Sequence, residues 1–233
     1  MYKNDQEFLK KRYDPIHNRT IDYKHDAWER IMAVLSGITK VHTSVKLLDV
    51  GCYDGYIASL MRKKLGNTCR LYGVDAANNS LKLARQQGIS IKAYDVTKGL
   101  PYASNFFDYV FAGEIIEHIV DTDFFMREIK RVLKSDGICI LTTPNSLSLG
   151  RRLHYLIGSG IFLEVSYSIP KNAAGHVRYF TFGSMKEFMA MHNFHITRMV
   201  SDTVNFPWFK SSWLAQIIPT IGQSIIVFAQ NNK

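Results

Sequence analysis

The clearest pattern of hydrophobic positions lies between Lys46 and Met61, in the stretch KLLDVGCYDGYIASLM. Its first part is a short apolar run, which is typical of a buried strand. Two glycines, Gly51 and Gly55, then bound a turn, and apolar residues recur at helical spacing after it. The pattern predicts a strand that turns directly into a helix. In an open α/β sheet such a junction lies at the carboxyl end of a strand, where ligands bind.

The residues within this turn indicate which ligand it accepts. A dinucleotide site needs G-x-G-x-x-G, because the second glycine lets a pyrophosphate approach the backbone. Tyr53 stands at that position here, which disfavours a pyrophosphate and favours a nucleoside ligand without phosphates. A second apolar run, about 20 residues further on, ends at Asp75, whose carboxylate is placed to accept hydrogen bonds from both ribose hydroxyls.

The remaining patterns predict further strands and helices in alternation. An amphipathic helix is expected within residues 22–38, and a later one within residues 120–137, closed by Gly137. A shorter helix begins near Asn78 or Asn79. The third to sixth strands are expected in ISIKAYDV, FDYVFAG, ICILTTPN and HITRMVSDTV, and the last strand in QSIIVFAQ. Aromatic residues at 106, 107 and 111 are expected to pack in the core.

Two stretches fit none of these elements, and we interpret them as insertions at about 145–180 and 206–219. Residues 1–43 precede the first strand, so the chain divides into an N-terminal helical segment and one domain over residues 44–233. Residues 211–232 carry no charge, but polar and helix-breaking residues interrupt them, which favours a surface helix or loop before the final strand over a membrane span.

Composition places the chain among ordinary globular proteins, with 233 residues, 46% hydrophobic and 21% charged, enough for one domain with a full core. The three cysteines are odd in number and lie beside apolar runs, which favours reduced thiols in a cytoplasmic protein. The N-terminus is too charged for a secretory signal. The net charge of +9 reflects either solvated helix faces or attraction to an anionic partner such as phospholipid headgroups or RNA.

Four motifs in order, LLDVGCYDG, GVDAANNSLKLA, YDVTKGLPYASNFFDYVFAGEIIEHI and REIKRVLKSDGICILTTPN, resemble the class I S-adenosylmethionine-dependent methyltransferases. The resemblance covers residues 45–145 closely and the rest of the chain more loosely. It implies an α/β, Rossmann-like, doubly wound sheet of seven mostly parallel strands with an antiparallel last strand. It also implies that residues 1–43 form a lid over the cofactor and the acceptor.

The resemblance implies a set of cofactor-binding residues for S-adenosylmethionine. Asp75 would hold the ribose, Asp95 would accept from the adenine amino group, and the backbone N–H of Val96 would meet the ring. Gly51 and Gly55 would shape the bed of the nucleoside. Further contacts with the cofactor are expected from four residues: Asp49, Cys52, Ala76 and Glu114.

The stretch GEIIEH is the second one with candidate chemistry, and three interpretations stay open. On a helical turn Glu114, Glu117 and His118 would lie at i, i+3 and i+4 and face one side. They could form a polar network that orders the cofactor, or His118 could act as a general base for an acceptor hydroxyl. Alternatively, these three residues and His176 could bind a divalent metal such as Mg²⁺, Mn²⁺, Fe²⁺ or Zn²⁺.

The metal interpretation rests on a further resemblance. E-x-x-E-H followed by a distant histidine, here in AGHVRYFT, resembles a branch that includes ubiquinone-biosynthesis O-methyltransferases and methyltransferases of the terminal 2′-hydroxyl of small RNAs. We therefore expect catalytic roles for His118, Glu117 and His176. Methyl transfer to an oxygen of a small-molecule, lipid or glycan acceptor is the expected reaction; a metal-dependent RNA 2′-O-methyltransferase and a non-catalytic partner subunit are the alternatives.

The second insertion leaves one more choice open. The apolar residues Trp208, Phe209, Trp213 and Leu214 either finish the core or, beside Lys210, touch a membrane surface or a lipid-linked acceptor. The second alternative would make a cytoplasmic protein peripheral at the membrane.

Overall fold

A computed structural model describes residues 27–76, 81–158, 175–206 and 208–233. Most of the expected N-terminal lid lies outside the described residues, and so does the expected helix start at Asn78 or Asn79. The lid and the domain boundaries stay predictions. The described residues contain nine strands and seven α-helices, together with three short 3₁₀ turns.

The strands are β1 (Lys46–Val50), β2 (Arg70–Asp75), β3 (Ser90–Ala93), β4 (Phe107–Gly113), β5 (Leu133–Pro144), β6 (Phe194–Val200), β7 (Val204–Phe206), β8 (Phe209–Ser211) and β9 (Ser224–Asn231). The helices are α1 (Trp28–Ser36), α2 (Tyr56–Leu65), α3 (Leu81–Gln86), α4 (Thr122–Val132), α5 (Leu149–Leu156), α6 (Phe182–Met191) and α7 (Ser212–Ile217). The 3₁₀ turns cover Val96–Lys98, Ile116–His118 and Pro219–Ile221.

Seven strands form one sheet in the order β3-β2-β1-β4-β5-β9-β6. The first five pair in parallel, and β9 lies between β5 and β6, antiparallel to both. This confirms the predicted seven-stranded, mostly parallel sheet with an antiparallel last strand. The order changes direction at β1, so the crevice beyond the carboxyl ends of β1 and β4 is the expected ligand site.

Apolar layers cover both faces of the sheet. Leu47 and Leu48 are adjacent and fully buried, yet they belong to different core clusters, because successive strand residues point to opposite faces. α1 and α2 pack on the face of Leu47, and α4 and α6 pack on the face of Leu48. As predicted, Phe107 and Phe111 are buried, and Phe106 is packed against the core.

The helix before the sheet follows its predicted pattern. α1 buries three residues, Ile31, Val34 and Leu35, at helical spacing, which seats it against the sheet. The same helix carries Glu29 and Arg30, whose side chains form ion pairs with residues of other elements.

The predicted end of the fourth helix was wrong. α4 ends at Val132, because Leu133 adopts extended backbone and pairs with Phe107 as the first residue of β5. Gly137 therefore lies within β5. A Cβ there would meet the Asp108 carbonyl at 3.3 Å and the Leu133 side chain at 2.9 Å, so this glycine permits close packing of the strand start.

The region of the second predicted insertion contains a two-stranded sheet that is separate from the main one. β6 ends at Val200, earlier than predicted, and β7 and β8 form a hairpin that is followed by α7. The side chains of Trp208, Phe209 and Trp213 are exposed, at 101%, 49% and 69%, so the core alternative was wrong for these three. Among the described residues, no helix is both long enough and apolar enough to cross a membrane. The three cysteines are buried and form no disulfide, as predicted.

Candidate cofactor and catalytic site

The glycine turn after β1 is held tightly against β2. Gly51 and Gly55 have φ of +76° and +75°, a region in which side chains are strained. A Cβ at Gly55 would lie 2.2 Å from Cδ1 of Ile89, so there is no room for one. Tyr53 also has a positive φ, of 45°, and its backbone N–H donates to Oδ2 of Asp75 over 2.9 Å. The Asp75 carboxylate, which is predicted to bind the ribose, therefore also stabilises the glycine turn.

Three carboxyl groups are concentrated at this turn. Asp49 is 3% exposed, and burial, together with the nearby carboxylates of Asp75 and Asp54, raises its pKa to about 8. Burial, and then the charges of Asp49 and Asp75, also raises the pKa of the Cys52 thiol. The turn thus has a negative electrostatic environment, which favours a cationic ligand and opposes a phosphate.

The end of β3 lies beside the end of β2, because the Tyr94 N–H donates to the Asp75 carbonyl over 3.0 Å. Asp95 follows and caps the short turn Val96–Lys98, and its Oδ1 accepts from the backbone N–H of Thr97 at 3.0 Å. Val96 is 9% exposed. Asp95 and Val96, which are predicted to contact adenine, therefore follow the end of one strand, and Ala76 follows the end of the neighbouring strand. Their contacts with the cofactor stay predictions.

Glu114 follows β4 in an unexpected conformation. Its φ is +51°, so the only helical turn here is Ile116–His118, and the predicted helical alignment of Glu114 with Glu117 and His118 was wrong. The Glu114 carboxylate accepts from Oγ1 of Thr142 at 2.9 Å, and Nη1 of Arg30 lies 3.1 Å from it. Sequence reasoning missed Arg30, whose only signal was its place on a helix expected to cover the cofactor.

Glu117, His118 and His176 come together at the next turn. One ligand atom from each residue lies within 4.8 Å of the others. The backbone N–H groups of Val177 and Arg178 donate to the Glu117 carbonyl, at 2.8 and 3.0 Å, and this brings the distant His176 back over the turn. The two imidazole rings are 5.0 Å apart.

The proton positions within this cluster can be assigned in part. Nδ1 of His118 lies 3.1 Å from the carbonyl oxygen of Gly175, which can only accept, so Nδ1 carries a hydrogen. In a neutral His118 the lone pair is therefore on Nε2. Glu117 is 2% exposed and accepts from Oγ1 of Thr143 at 3.0 Å.

Burial raises the pKa of Glu117 first of all, and the charge of Glu114 raises it further. The hydrogen bond from Thr143 and the charge of Arg30 oppose this effect. A carboxylate buried in this way is stabilised by a cation or a proton beside it, and Nε2 of His176 lies 4.0 Å from its Oε1.

The residues present fit a cofactor and, in part, a metal. The acid-rich turn suits a sulfonium nucleoside, because its negative electrostatic environment favours a cationic ligand. One carboxylate and two imidazoles form a donor set that suits Zn²⁺, Fe²⁺ or Mn²⁺. Glu114, the fourth predicted ligand, is bonded to Arg30 and Thr142 instead, so the structure brings together three of the four predicted metal ligands.

Comparison with known proteins supports the resemblance to S-adenosylmethionine-dependent methyltransferases. A family model described as "Methyltransferase domain" matches residues 41–166. Demethylmenaquinone methyltransferase of Staphylococcus aureus is 27% identical over 154 residues, which are 64% of this chain and 63% of that protein. The chain thus spans less than two thirds of the length of this curated relative.

Solved structures show the same fold. A Haloferax volcanii methyltransferase, described as putative and in complex with the activator Trm112, has a TM-score of 0.69 and 16% identity over 97% of this chain and 98% of that one. A possible histamine N-methyltransferase of Thermotoga maritima has a TM-score of 0.64 and 15% identity over 97% of both chains. With a family model matching over half its length and this sheet order, the chain belongs to the class I S-adenosylmethionine-dependent methyltransferases.

Proposed function

We propose that this chain transfers the methyl group of S-adenosylmethionine to an oxygen of a small-molecule, lipid or glycan acceptor. The observation that carries the proposal is the cluster of Glu117, His118 and His176 at the sheet edge that also carries the acid-rich glycine turn. A cationic methyl donor and a proton acceptor are the two requirements of the reaction, and the two groups of residues supply a place for each.

The cofactor supplies an already activated methyl group. Gly51 and Gly55 give the turn the left-handed backbone against which its nucleoside would lie, and Asp75 and Asp95 offer carboxylates at adjacent strand ends. The negative charge of Asp54 and Asp75 favours the positively charged sulfonium over a neutral or phosphorylated ligand.

His118 is the proposed general base. With Nδ1–H held by the Gly175 carbonyl, its Nε2 can accept the proton of the acceptor hydroxyl. The acceptor oxygen forms a bond to the methyl carbon as the carbon–sulfur bond breaks, the bonding electrons stay on sulfur, and the proton remains on His118. Buried Glu117, beside His176, stabilises positive charge that develops in the cluster.

Variants of two histidines test the role of the base. General acid–base catalysis contributes about 10²–10⁴-fold, so His118→Gln should lower kcat by that factor with an unchanged cofactor Kd. His192, which pairs with Asp123 on α4, is the matched control, and His192→Gln should retain wild-type kcat. An unaltered kcat in His118→Gln would remove His118 from the mechanism.

Acceptor identity is best approached by a screen of turnover with phenols, demethylmenaquinone, lipid-linked sugars and RNA. Demethylmenaquinone is included because it stands in the name of the S. aureus relative. Methylation of an RNA 3′ end, with a steep salt dependence, would favour the RNA alternative. Cofactor binding without turnover of any acceptor would favour a non-catalytic subunit.

A metal-assisted reaction is the second candidate, and the convergence of the three ligand atoms favours it. Glu117, His118 and His176 would hold the ion, which would orient acceptor hydroxyls and lower the pKa of one of them. Elemental analysis of the purified protein and turnover after chelation distinguish the two candidates. Undiminished turnover by a metal-free protein would leave His118 as the base.

A further inference from the structure

The two insertions, far apart in the sequence, form one block beside the site. α5 and α7 both pack against β7. The carbonyl of Thr220 accepts from Nη2 of Arg152 at 2.9 Å and from Nδ2 of Asn145 at 3.0 Å, which ties the two insertions together. We call residues 145–158 and 203–222 the insertion block.

Several large apolar side chains of the insertion block are exposed. At the end of α5, Leu153, Leu156 and the following residue Ile157 are spaced i, i+3 and i+4, so they share one side, and the last two are 80% and 78% exposed. On α7, Trp213 and Ile217 repeat this spacing. Trp208, at the turn of the β7–β8 hairpin, is fully exposed. The block therefore has the composition of an interaction surface.

The insertion block also borders the candidate site. Arg151 of α5 donates to the Asn145 carbonyl at 2.7 Å, and its guanidinium is close enough to the Glu114 carboxylate for their charges to interact. From the hairpin, Nζ of Lys210 lies 2.6 Å from the Glu29 carboxylate on α1, next to the residue that pairs with Glu114. A molecule bound to the block would thus lie next to the mouth of the site.

Charge distinguishes between possible occupants of this surface. The insertion block carries Arg151, Arg152 and Lys210, the last paired with Glu29 of α1, and contains no Asp or Glu of its own. Two copies of the chain meeting through the block would bring like charges together, and the whole chain carries +9. An anionic lipid surface complements both the cations and the exposed tryptophans, which favour the boundary between water and hydrocarbon.

We propose that the insertion block docks on an anionic phospholipid bilayer, with Trp208 and Trp213 entering the headgroup region. The mouth of the site then faces the membrane, and the acceptor is an amphiphile that reaches the site from the bilayer. That the acceptor is an amphiphile rests on the proposed function, whereas the docking itself does not.

Sedimentation with vesicles tests the docking. The wild-type protein should bind vesicles that contain an anionic phospholipid and should bind purely zwitterionic vesicles at least about tenfold less, since each basic residue near an anionic surface adds to binding. A Trp208→Ala, Trp213→Ala double variant should lose at least about tenfold in binding to the anionic vesicles. The blue shift of tryptophan fluorescence on vesicle addition should disappear with it.

A matched control uses exposed apolar residues elsewhere on the molecule. Leu83 on α3 and Met191 on α6 are 54% and 74% exposed, and the Leu83→Ala, Met191→Ala double variant should bind vesicles like the wild type. Circular dichroism and cofactor affinity verify that both double variants are folded.

Three results would overturn the docking proposal. They are wild-type protein that stays in the supernatant, equal binding by the tryptophan variant, and a dimer in solution that the tryptophan substitutions dissociate. Turnover assays keep the two proposals apart. Vesicle binding without methyl transfer would contradict only the proposed function, and methyl transfer to a water-soluble acceptor without vesicle binding would contradict only the docking.

Discussion

The guanidinium of Arg30 lies 3.1 Å from the carboxylate of Glu114, which joins the helix before the sheet to the residue that follows β4. Both side chains are about three-quarters buried, at 23% and 28% exposure. The pair holds α1 over the cofactor edge of the sheet and places a positive charge close to buried Glu117. Removal of this ion pair should therefore change both the stability of the protein and the charge balance around Glu117, His118 and His176.

Arg30→Ala should lower the free energy of unfolding by about 1 kcal/mol, because a partly buried ion pair is lost and Glu114 is left beside Glu117. Urea denaturation at neutral pH measures this change. Lys98→Ala is the control, since its pair with Asp95 spans 4.0 Å and its side chain is 55% exposed, so we expect almost no change in that variant. Equal stabilities of the Arg30→Ala variant and the wild type would show that α1 is held by its apolar face alone.

Asp49→Asn should flatten the dependence of stability on pH. The pKa of Asp49 is raised from 3.8 to about 8 by burial and by its acidic neighbours. Between these values the unfolded chain releases a proton that the folded chain keeps, so stability declines as pH rises, by up to about 1.4 kcal/mol per pH unit. The variant lacks this proton, and its stability relative to the wild type should increase from about pH 5 to about pH 8.

Urea denaturation across this pH range provides the measurement. Asp136, an exposed carboxyl on the opposite edge of the sheet, provides the control, and Asp136→Asn should follow the wild-type profile. A constant difference between the Asp49→Asn variant and the wild type at all pH values would contradict the buried, protonated carboxyl.

Asp75→Asn should weaken binding of S-adenosylmethionine. A hydrogen bond to a charged group contributes roughly 1.5–3 kcal/mol, so loss of the carboxylate should raise Kd by about one to two orders of magnitude in calorimetry. Asp108 is the control at the amino edge of the same sheet, where it accepts from the N–H of Lys46 at 2.8 Å. Asp108→Asn should leave Kd unchanged, and a normal Kd in Asp75→Asn would refute the proposed ribose contact.

Two glycines with the same backbone conformation allow strain and crowding to be separated. Gly55 and Gly158 have φ of +75° and +72°, but a Cβ would meet Ile89 at 2.2 Å in the first and open space in the second. Gly158→Ala should cost about 1–2 kcal/mol, the penalty for a left-handed residue. Gly55→Ala should cost at least about 1 kcal/mol more, because the core must shift. Thermal or urea unfolding measures both, and equal losses would show that Ile89 moves aside freely.

The sheet could be predicted from the sequence because its signals are local and repeated. Apolar runs that end at Gly51 and Asp75 mark β1 and β2, and the alternation of strands and helices favours a parallel sheet. The end of α4 was predicted less well, because the residues between Val132 and Gly137 suit a helix, whereas Leu133 is drawn into pairing with Phe107. Pairing between strands distant in the chain is not visible in a local pattern.

The candidate site could be predicted in part for the same reason. Glu117, His118 and His176 could be grouped from motif spacing, and the structure brings them together. Glu114 could not be placed, since a positive φ at a glutamate is a tertiary effect that its hydrogen bonds with Thr142 stabilise. Arg30 and Glu114 form an ion pair although they are 84 positions apart in the chain, and no periodicity of the sequence predicts such a contact.

The position of β9 has a consequence for how the molecule is assembled during synthesis. β1 to β5 are consecutive and can pair as they leave the ribosome, so the cofactor half of the sheet can form early. β6 has no partner until β9 emerges after it and enters the gap beside β5. The insertion block, which lies between β5 and β9 in the chain, is thus fixed in place only after β9 has been made, and until then β5 and β6 each present an unpaired strand edge.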